Sequence, residues 1–475
     1  YWAGFQLYGF GGWNEEQRQR LLAGSVQAIM NRGERAFRQG NWQQAIELYR
    51  ELLSPQQRVL NDSVRYEIED SIMRCAVNGE LWNIAVDVQQ RRIQRYGEQN
   101  QNRWVAEAYR YVAVYSREIG DTRSARNAEQ RVQQLSRAFG FTLPEQHPYE
   151  TMAEHLQAGG KYRRAIEMYK RAAQHYEQHG NQQMQLVAIE RPADIYANDI
   201  NDLIRAFELY HRAYEQSPFD SVSVVLLNKM SENRLRLGVW SSAFSYNQRA
   251  LVLADSLQLD SLIPQCLLTR VNLLRAQGEP LNALAHVDSL LSASPPTLQH
   301  LEALLIKSKI EFDLDYHTSA LERANHVLAQ TTFVPDSELH QESRRTVGLF
   351  QWQLGNFAEA LSQFEVLRCD SSDYAITPQD IRDNLNLAAC LLDAGETERA
   401  QQQAQITQAM SASLNDSYHL ALSDLVLART QADNAPSDSL LHNAIRLGNH
   451  FAFWDILVHG YAELARLSTA RNNQP

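Results

Sequence analysis

An alanine returns along this chain about every forty residues, at Ala45, Ala85, Ala125, Ala165, Ala206, Ala243, Ala283, Ala320, Ala360, Ala400 and Ala444, with spacings between 37 and 44. A turn-like residue precedes each by five or six positions. Gly40, Gly79, Gly120, Gly160, Gly238, Gly278, Gly355 and Gly395 fill eight of these places, and Asn201 and Asp315 fill two more. All of these types tolerate a left-handed backbone at a helix end. A period of this length means stacked supersecondary units, each packed on its neighbours, in place of one globular core.

The unit reads as two helices joined by the turn. An aromatic often lies four residues after the alanine, on the same helical face, as at Tyr49, Tyr169, Tyr210 and Phe364. Twelve residues before the alanine stands a small residue in most units: Gly33, Ala113, Ala153, Ser231, Ser308, Gly348, Ala388 and Ala432. Met73, Asp194 and Val271 are the exceptions. Small residues on both helices let the backbones approach, and the aromatic is expected to fill the gap to the next unit. Helix-start signals open several units at Asn61-Asp62-Ser63, Asp220-Ser221, Pro335-Asp336-Ser337, Thr377-Pro378 and Asn415-Asp416-Ser417. Pro192 falls inside a first helix, where it predicts a kink or a late start.

On these residues the chain resembles the tetratricopeptide repeat (TPR) family over roughly positions 25 to 455. Its period is longer than the family's usual ~34 residues, which predicts longer helices and longer loops between units. HEAT and armadillo repeats are nearer in period but lack the glycine–alanine–aromatic turn. The resemblance implies an all-α, right-handed superhelical solenoid of about eleven TPR-like helix pairs. It divides the chain into an aromatic, glycine-rich segment at 1–13, a repeat array at 14–434 and capping helices at 435–475.

Composition fits a packed array, with 44% hydrophobic residues. Strand alternation and hairpin dipeptides are scarce. The net charge of −11 is spread thinly, so nucleic acid is not an expected partner, since phosphate binding needs clustered cations. Cys75, Cys266, Cys369 and Cys390 have no metal or disulfide spacing and read as buried free thiols. The histidines are scattered, and His175 and His179, four apart on a polar helix, read as solvated. No phosphate loop, dinucleotide motif or nucleophile elbow is present in the sequence. The chain is therefore read as non-enzymatic, with no cofactor and no metal.

Residues 1–13 carry six aromatics and four glycines. Such a cluster beside a polar helix suits a membrane–water boundary; the other reading is a segment folded back over the first repeat. The sequence does not begin with Met, and an upstream segment is expected to have been removed or left out. No stretch is long and apolar enough to cross a bilayer.

In the family the first helix of each unit lines the concave groove. The corresponding positions are Met30, Glu34, Asp70, Arg74, Glu150, Glu154, Asn228, Glu232, Leu305, Lys309, Arg345 and Leu349. No Lys/Asn pairing recurs among them, so a chaperone-tail clamp is not expected. Leu305, Phe312, Leu349, Trp352, Leu385 and Leu392 form an apolar stripe with Lys309, Arg345 and Arg382 between them. As a site, that stripe suits an amphipathic or acidic peptide. As a recurring position it suits core packing. The partner-binding candidates are Leu305, Lys309, Phe312, Arg345, Leu349, Trp352 and Arg382. Two functions stay open: a protein–protein scaffold or assembly factor at a bacterial cell envelope, or the peptide- or ligand-binding part of a signalling protein. The sequence names neither the partner nor the oligomeric state.

Overall fold

Local periodicity becomes helices throughout the computed structural model. It describes residues 24–53, 62–218, 220–293, 298–334, 337–368, 376–414, 416–431, 435–451 and 454–472. The expectations placed on residues 1–13, on Cys369 and Ala432, and on the side chains of Phe451, Phe453 and Trp454 lie outside these. Among the described residues there are 23 α-helices and no strand. They are α1 (Gly24–Arg38), α2 (Trp42–Leu52), α3 (Asp62–Asn78), α4 (Trp82–Glu98), α5 (Asn102–Ile119), α6 (Thr122–Phe139), α7 (Pro148–Ala158), α8 (Tyr162–Gln178), α9 (Gln182–Asp194), α10 (Leu203–Gln216), α11 (Ser221–Arg236) and α12 (Trp240–Ser256). They continue as α13 (Ile263–Ala276), α14 (Pro280–Ala293), α15 (Leu298–Asp313), α16 (His317–Gln330), α17 (Glu338–Gln353), α18 (Phe357–Leu367), α19 (Pro378–Asp393), α20 (Thr397–Leu414), α21 (Ser417–Thr430), α22 (Ala435–Phe451) and α23 (Trp454–Asn472). Odd numbers from α1 to α21 are the first helices of eleven pairs, even numbers their partners, and α23 follows the last pair.

Each of the eleven alanines sits on a second helix and is at most 2% exposed. The aromatic four residues on reaches the next unit as expected and its own pair as well. Phe364 clusters with Leu387, Cys390 and Leu391 of α19. Tyr49 and Phe364 also rest on Gly33 and Gly348, the small residues of the first helix in their own pair, where an added Cβ would stand 2.5 and 2.7 Å from the ring. The exception Asp194 follows the same geometry: the Tyr210 hydroxyl donates to its carboxylate at 2.6 Å, so a polar contact replaces the close approach.

The turns follow the sequence with one shift. Gly40, Gly160, Gly238, Gly278, Gly355 and Gly395 have φ near +70° to +84°, and Asn201 and Asp315 are also left-handed. In the second pair the left-handed residue is Glu80, at φ 57°, and the preceding Gly79 packs against Trp42. Asp220, Ser337, Thr377 and Asp416 cap their helices through side-chain oxygens, Thr377 in a reciprocal box with Asp380. Helix α9 runs through Pro192 without a late start, and its ladder then widens into a π turn at Ile195–Asp199.

The chain divides into two compact units, the first ending at Pro192 and the second beginning at Ala193. Within each, a helix packs on its sequence neighbour. In unit two, first helices also touch the next first helix, as α11 does α13, α13 does α15 and α15 does α17, while no second helix makes a comparable contact with the next second helix. The closer-spaced layer lies on the inside of a curve, so the first helices form the inner face of this unit. In unit one α3 reaches α7, two pairs on, where the Asn78 amide donates to the His155 carbonyl at 2.6 Å.

Candidate functional site

The inner face of unit two begins with the apolar stripe, and most of it is core. Leu305 and Phe312 are buried, in one cluster with Val347 and Phe350, and the Phe312 and Phe350 rings stack 4.1 Å apart. Leu349, Trp352 and Leu392 are partly buried against the cluster around Phe364, and Leu385 is buried in the next. The Trp352 indole N–H donates to Asp393 at 3.1 Å.

The cations between these residues are already paired. Glu342 on α17 takes Lys309 at 2.6 Å, Arg382 at 3.2 Å, and Arg345. Arg345 also grips Asp383 on α19 through two bonds, Nη2 to Oδ2 at 2.8 Å. Burial alone would raise the Glu342 carboxyl, yet the three cations hold it down at about 2. The structure thus gathers the predicted Lys309, Arg345 and Arg382 into one network, three cations on the two carboxylates of Glu342 and Asp383, and leaves none of them without a carboxylate.

Charges without an ion pair among the described residues lie one to three pairs earlier, where opposite charges act only at longer range: Lys229 on Glu232, Lys309 on Glu302 and Glu232 on Arg236. Glu232, on α11, accepts from the Asn228 amide at 2.9 Å and the Thr269 hydroxyl at 2.8 Å, both neutral donors. Burial pushes its carboxyl up. Glu302, on α15, makes no hydrogen bond or ion pair among the described residues; burial raises it, and the carboxylates of Glu232 and Glu338 add to the rise. Arg236, one turn beyond Glu232, donates to the Ala197 carbonyl at 2.9 Å and to the side chains of Asn201 and Asn198 at 2.9 and 3.3 Å. These acceptors come from the π turn and the left-handed Asn201 behind it. Burial lowers the Arg236 guanidinium, and Arg382, four pairs on, adds to the effect.

A buried polar relay holds Glu232 in place. Arg270, stacked 3.8 Å over Phe244, donates to Asn247 at 2.7 Å. Asn247 donates to the Cys266 carbonyl at 2.7 Å and to Asn228 at 3.4 Å, and Asn228 bonds Thr269 and Glu232. Asn228, Asn247, Thr269 and Arg270 are all buried. Asn247 stands four residues after Ala243, where other pairs have Tyr49, Tyr169, Tyr210 or Phe364. Asn228 stands where α13, α15 and α19 have Leu268, Leu305 and Leu385. Neither residue is an isolated departure: Asp70, Arg110, Glu150, Arg191, Arg345 and Arg429 stand at the Asn228 position in other pairs, and six other pairs lack an aromatic at the Asn247 position. Buried polar groups cost stability unless satisfied, and the relay supplies partners for these. The reading of the sequence had Asn228 and Glu232 among groove positions but missed Arg236, Thr269, Asn247 and Glu302.

Unit one uses its inner rows differently. Asp70 lies 3.7 Å from His155, Tyr111 bonds Thr151 at 3.0 Å, and Arg74 reaches Glu34, so groups from α3, α5 and α7 close on one another. The solvated reading of His175 is corrected here: His147, His175 and His179 stack in a column with centroids 4.1 Å apart at each step. Cys75, Cys266 and Cys390 are buried thiols, and burial pushes them up to about 12, 11 and 11.

The eleven helix pairs, their alanine contacts and their left-handed turns make this an all-α solenoid of tetratricopeptide-like repeats. No family model matches the chain, and no curated protein does. Among solved structures it is similar to yeast Tom70, at 13% identity and TM-score 0.44, over 95% of this chain and all of that one. It is also similar to the apo form of the quorum sensor NprR from B. thuringiensis, at 12% identity and TM-score 0.42, over 72% of this chain and 97% of that one. A tetratricopeptide repeat protein from Parabacteroides merdae is similar at 18% identity and TM-score 0.30, over 55% of this chain and 98% of that one.

Proposed function

We propose that this chain is a non-enzymatic interaction scaffold that holds a polypeptide partner on the inner face of its first helices in unit two. One observation carries the reading. On that face, among the described residues, Glu232 and Glu302 have no cation and Arg236 no carboxylate within ion-pair distance, although buried residues are arranged to hold two of the three in place. A surface serving the fold alone gains by pairing such charges, as it does around Glu342. A surface that receives another chain keeps them for that chain.

The aromatic composition of residues 1–13 supports a place at a bacterial envelope beside a membrane. Deleting them is then expected to move the protein from the membrane to the soluble fraction. The scaffold reading is tested by placing a benzophenone amino acid at the exposed Gln265, one turn before Thr269 on α13, and, in a second protein, at Arg249 on α12. Illumination in cells is expected to capture one discrete partner from position 265 and not from 249. Capture from 249 alone overturns the reading.

A further inference from the structure

The negative charge of the chain is unevenly divided. Residues 1–192 carry 25 basic and 22 acidic side chains, and residues 193–475 carry 20 and 34. The whole net charge of −11 therefore lies beyond residue 192, and the first stretch is slightly basic. An anionic surface attracts the first stretch and repels the second.

The basic excess is concentrated on one helix. α6 has four arginines and a single acid, Glu129, which pairs with Arg117 on α5. In unit one the first helices α3, α5 and α7 close on one another, so α4, α6 and α8 form the outer row. Ala125 and Ala128 mark the buried side of α6. On its opposite side Arg123, Arg126 and Arg137 are exposed, with the neutral Asn127, Gln130 and Gln134 between them. At 3.6 residues per turn the three arginines fall within about 60° around the axis and span about 21 Å along it. None has a carboxylate within ion-pair distance among the described residues; Asp121, which caps the helix, is bound to the Ser124 N–H at 2.9 Å and acts on Arg123 only at longer range. Cations on the neighbouring second helices are taken up by acids: Arg91 by Asp87, Arg164 by Glu80, and Arg171 by Glu118 and Glu167.

Aromatic side chains stand at one end of this row. α5 and α6 form a hairpin, so Trp104 in the first turn of α5 and Phe139 in the last turn of α6 share an end, and both are exposed. Cations alone would suit any polyanion, a nucleic-acid duplex included. Aromatics beside cations suit the boundary between phospholipid headgroups and acyl chains. We propose that the outer face of α6 docks on an anionic phospholipid surface through Arg123, Arg126 and Arg137, with Phe139 at the headgroup boundary. This rests on the reading that the chain works beside a membrane, and it adds a second contact to residues 1–13. One weak anchor gives marginal attachment, whereas two acting together give a stable one.

The test uses the full chain in flotation with vesicles of phosphatidylcholine alone, or with about one third phosphatidylglycerol. Binding is expected to favour the anionic vesicles and to weaken as salt rises from about 0.1 to 0.5 M. Arg123→Gln, Arg126→Gln and Arg137→Gln in one protein should lower that binding at least about tenfold. Arg205→Gln, Arg249→Gln and Arg446→Gln, which remove the same charge from exposed side chains of unit two, should leave it unchanged. If the first triple variant loses helicity in circular dichroism, Arg126→Gln alone should still lower the binding at least about threefold. Equal binding by the two triple variants, or no preference for anionic vesicles, overturns the proposal. So does retention on duplex DNA that depends on the same three arginines in a chain that ignores the vesicles. Deleting residues 1–13 separates this surface from the wider membrane reading. An anionic preference that persists at lower affinity in the deletion sustains the α6 surface. Vesicle binding that vanishes with residues 1–13 and is unmoved by the first triple variant overturns the α6 surface and leaves the membrane reading intact.

Discussion

Arg345 on α17 and Asp383 on α19 hold consecutive helix pairs together through a bidentate ion pair in which both side chains are about 5% exposed or less, at 4% and 5%. Removing one partner leaves the other charge buried without compensation. Arg345→Ala is therefore expected to destabilise these pairs by about 3–5 kcal/mol. Hydrogen exchange should show the loss concentrated in α17 and α19, because a repeat array can open locally. Unchanged protection there would contradict the structural role.

Gly348 tests the packing within a pair. An added methyl would stand 2.7 Å from the Phe364 ring, so Gly348→Ala should cost about 1–3 kcal/mol by overpacking. Phe364→Leu in the same chain should return part of that loss, since the two sites share one contact. Denaturant midpoints of the four proteins give the coupling; strict additivity would mean the ring lies elsewhere. Ala165→Leu, at a fully buried alanine, is expected to fall by a similar amount in calorimetry.

The histidine column predicts a pH dependence with a definite sign. Burial, together with His175, Arg110 and Arg117 nearby, lowers His147 to about 2, and burial with His179 lowers His175 to about 4. Both therefore stay neutral in the folded chain at pH values where the unfolded chain takes up protons. Stability should decline as pH falls from about 6.5, the ordinary histidine value, toward 4 and below. Glu342, held near 2, adds a separate loss as pH falls from the ordinary glutamate value of about 4.3 toward 2. His175→Gln should flatten the profile between pH 6.5 and 4.5 in thermal melts. A profile as steep as the parent's would remove the column as its cause.

The carboxyl end predicts a solubility change. Ala421, Leu425 and Ala428 on α21 pack with Leu441, Ala444 and Leu447 on α22 and with Ile456 and Leu467 on α23. His442, Arg446 and Asn449 are exposed on the opposite side of α22. Truncation at Pro436 uncovers the α21 face and is expected to give aggregation in light scattering. A monomeric truncation would contradict it.

What could be read in the sequence divides along physical lines. The eleven alanines, the caps at Asp220, Ser337, Thr377 and Asp416, and most left-handed turns were legible, because each depends on residues within one turn of helix. Tyr49 and Phe364 were legible as core toward the next unit but not in their contact with Gly33 and Gly348, since that depends on how closely the glycines let the two helices of a pair approach. The site was less legible. Lys309 and Arg382 looked free because Glu342 reaches them from 33 and 40 residues away, and Arg345 is tied to Asp383 38 residues away, although its second partner Glu342 stands only three residues before it. Arg236 was missed because its partners belong to a π turn that no local pattern announces.

The most direct test of the central claim is hydrogen exchange on the full chain, with and without the partner captured from position 265. The account predicts added protection on α11, α13 and α15, with α12, α14 and α16 unchanged, and loss of that footprint in Arg236→Gln. Protection confined to the second helices, or a footprint on the first helices that persists undiminished in Arg236→Gln, would contradict it.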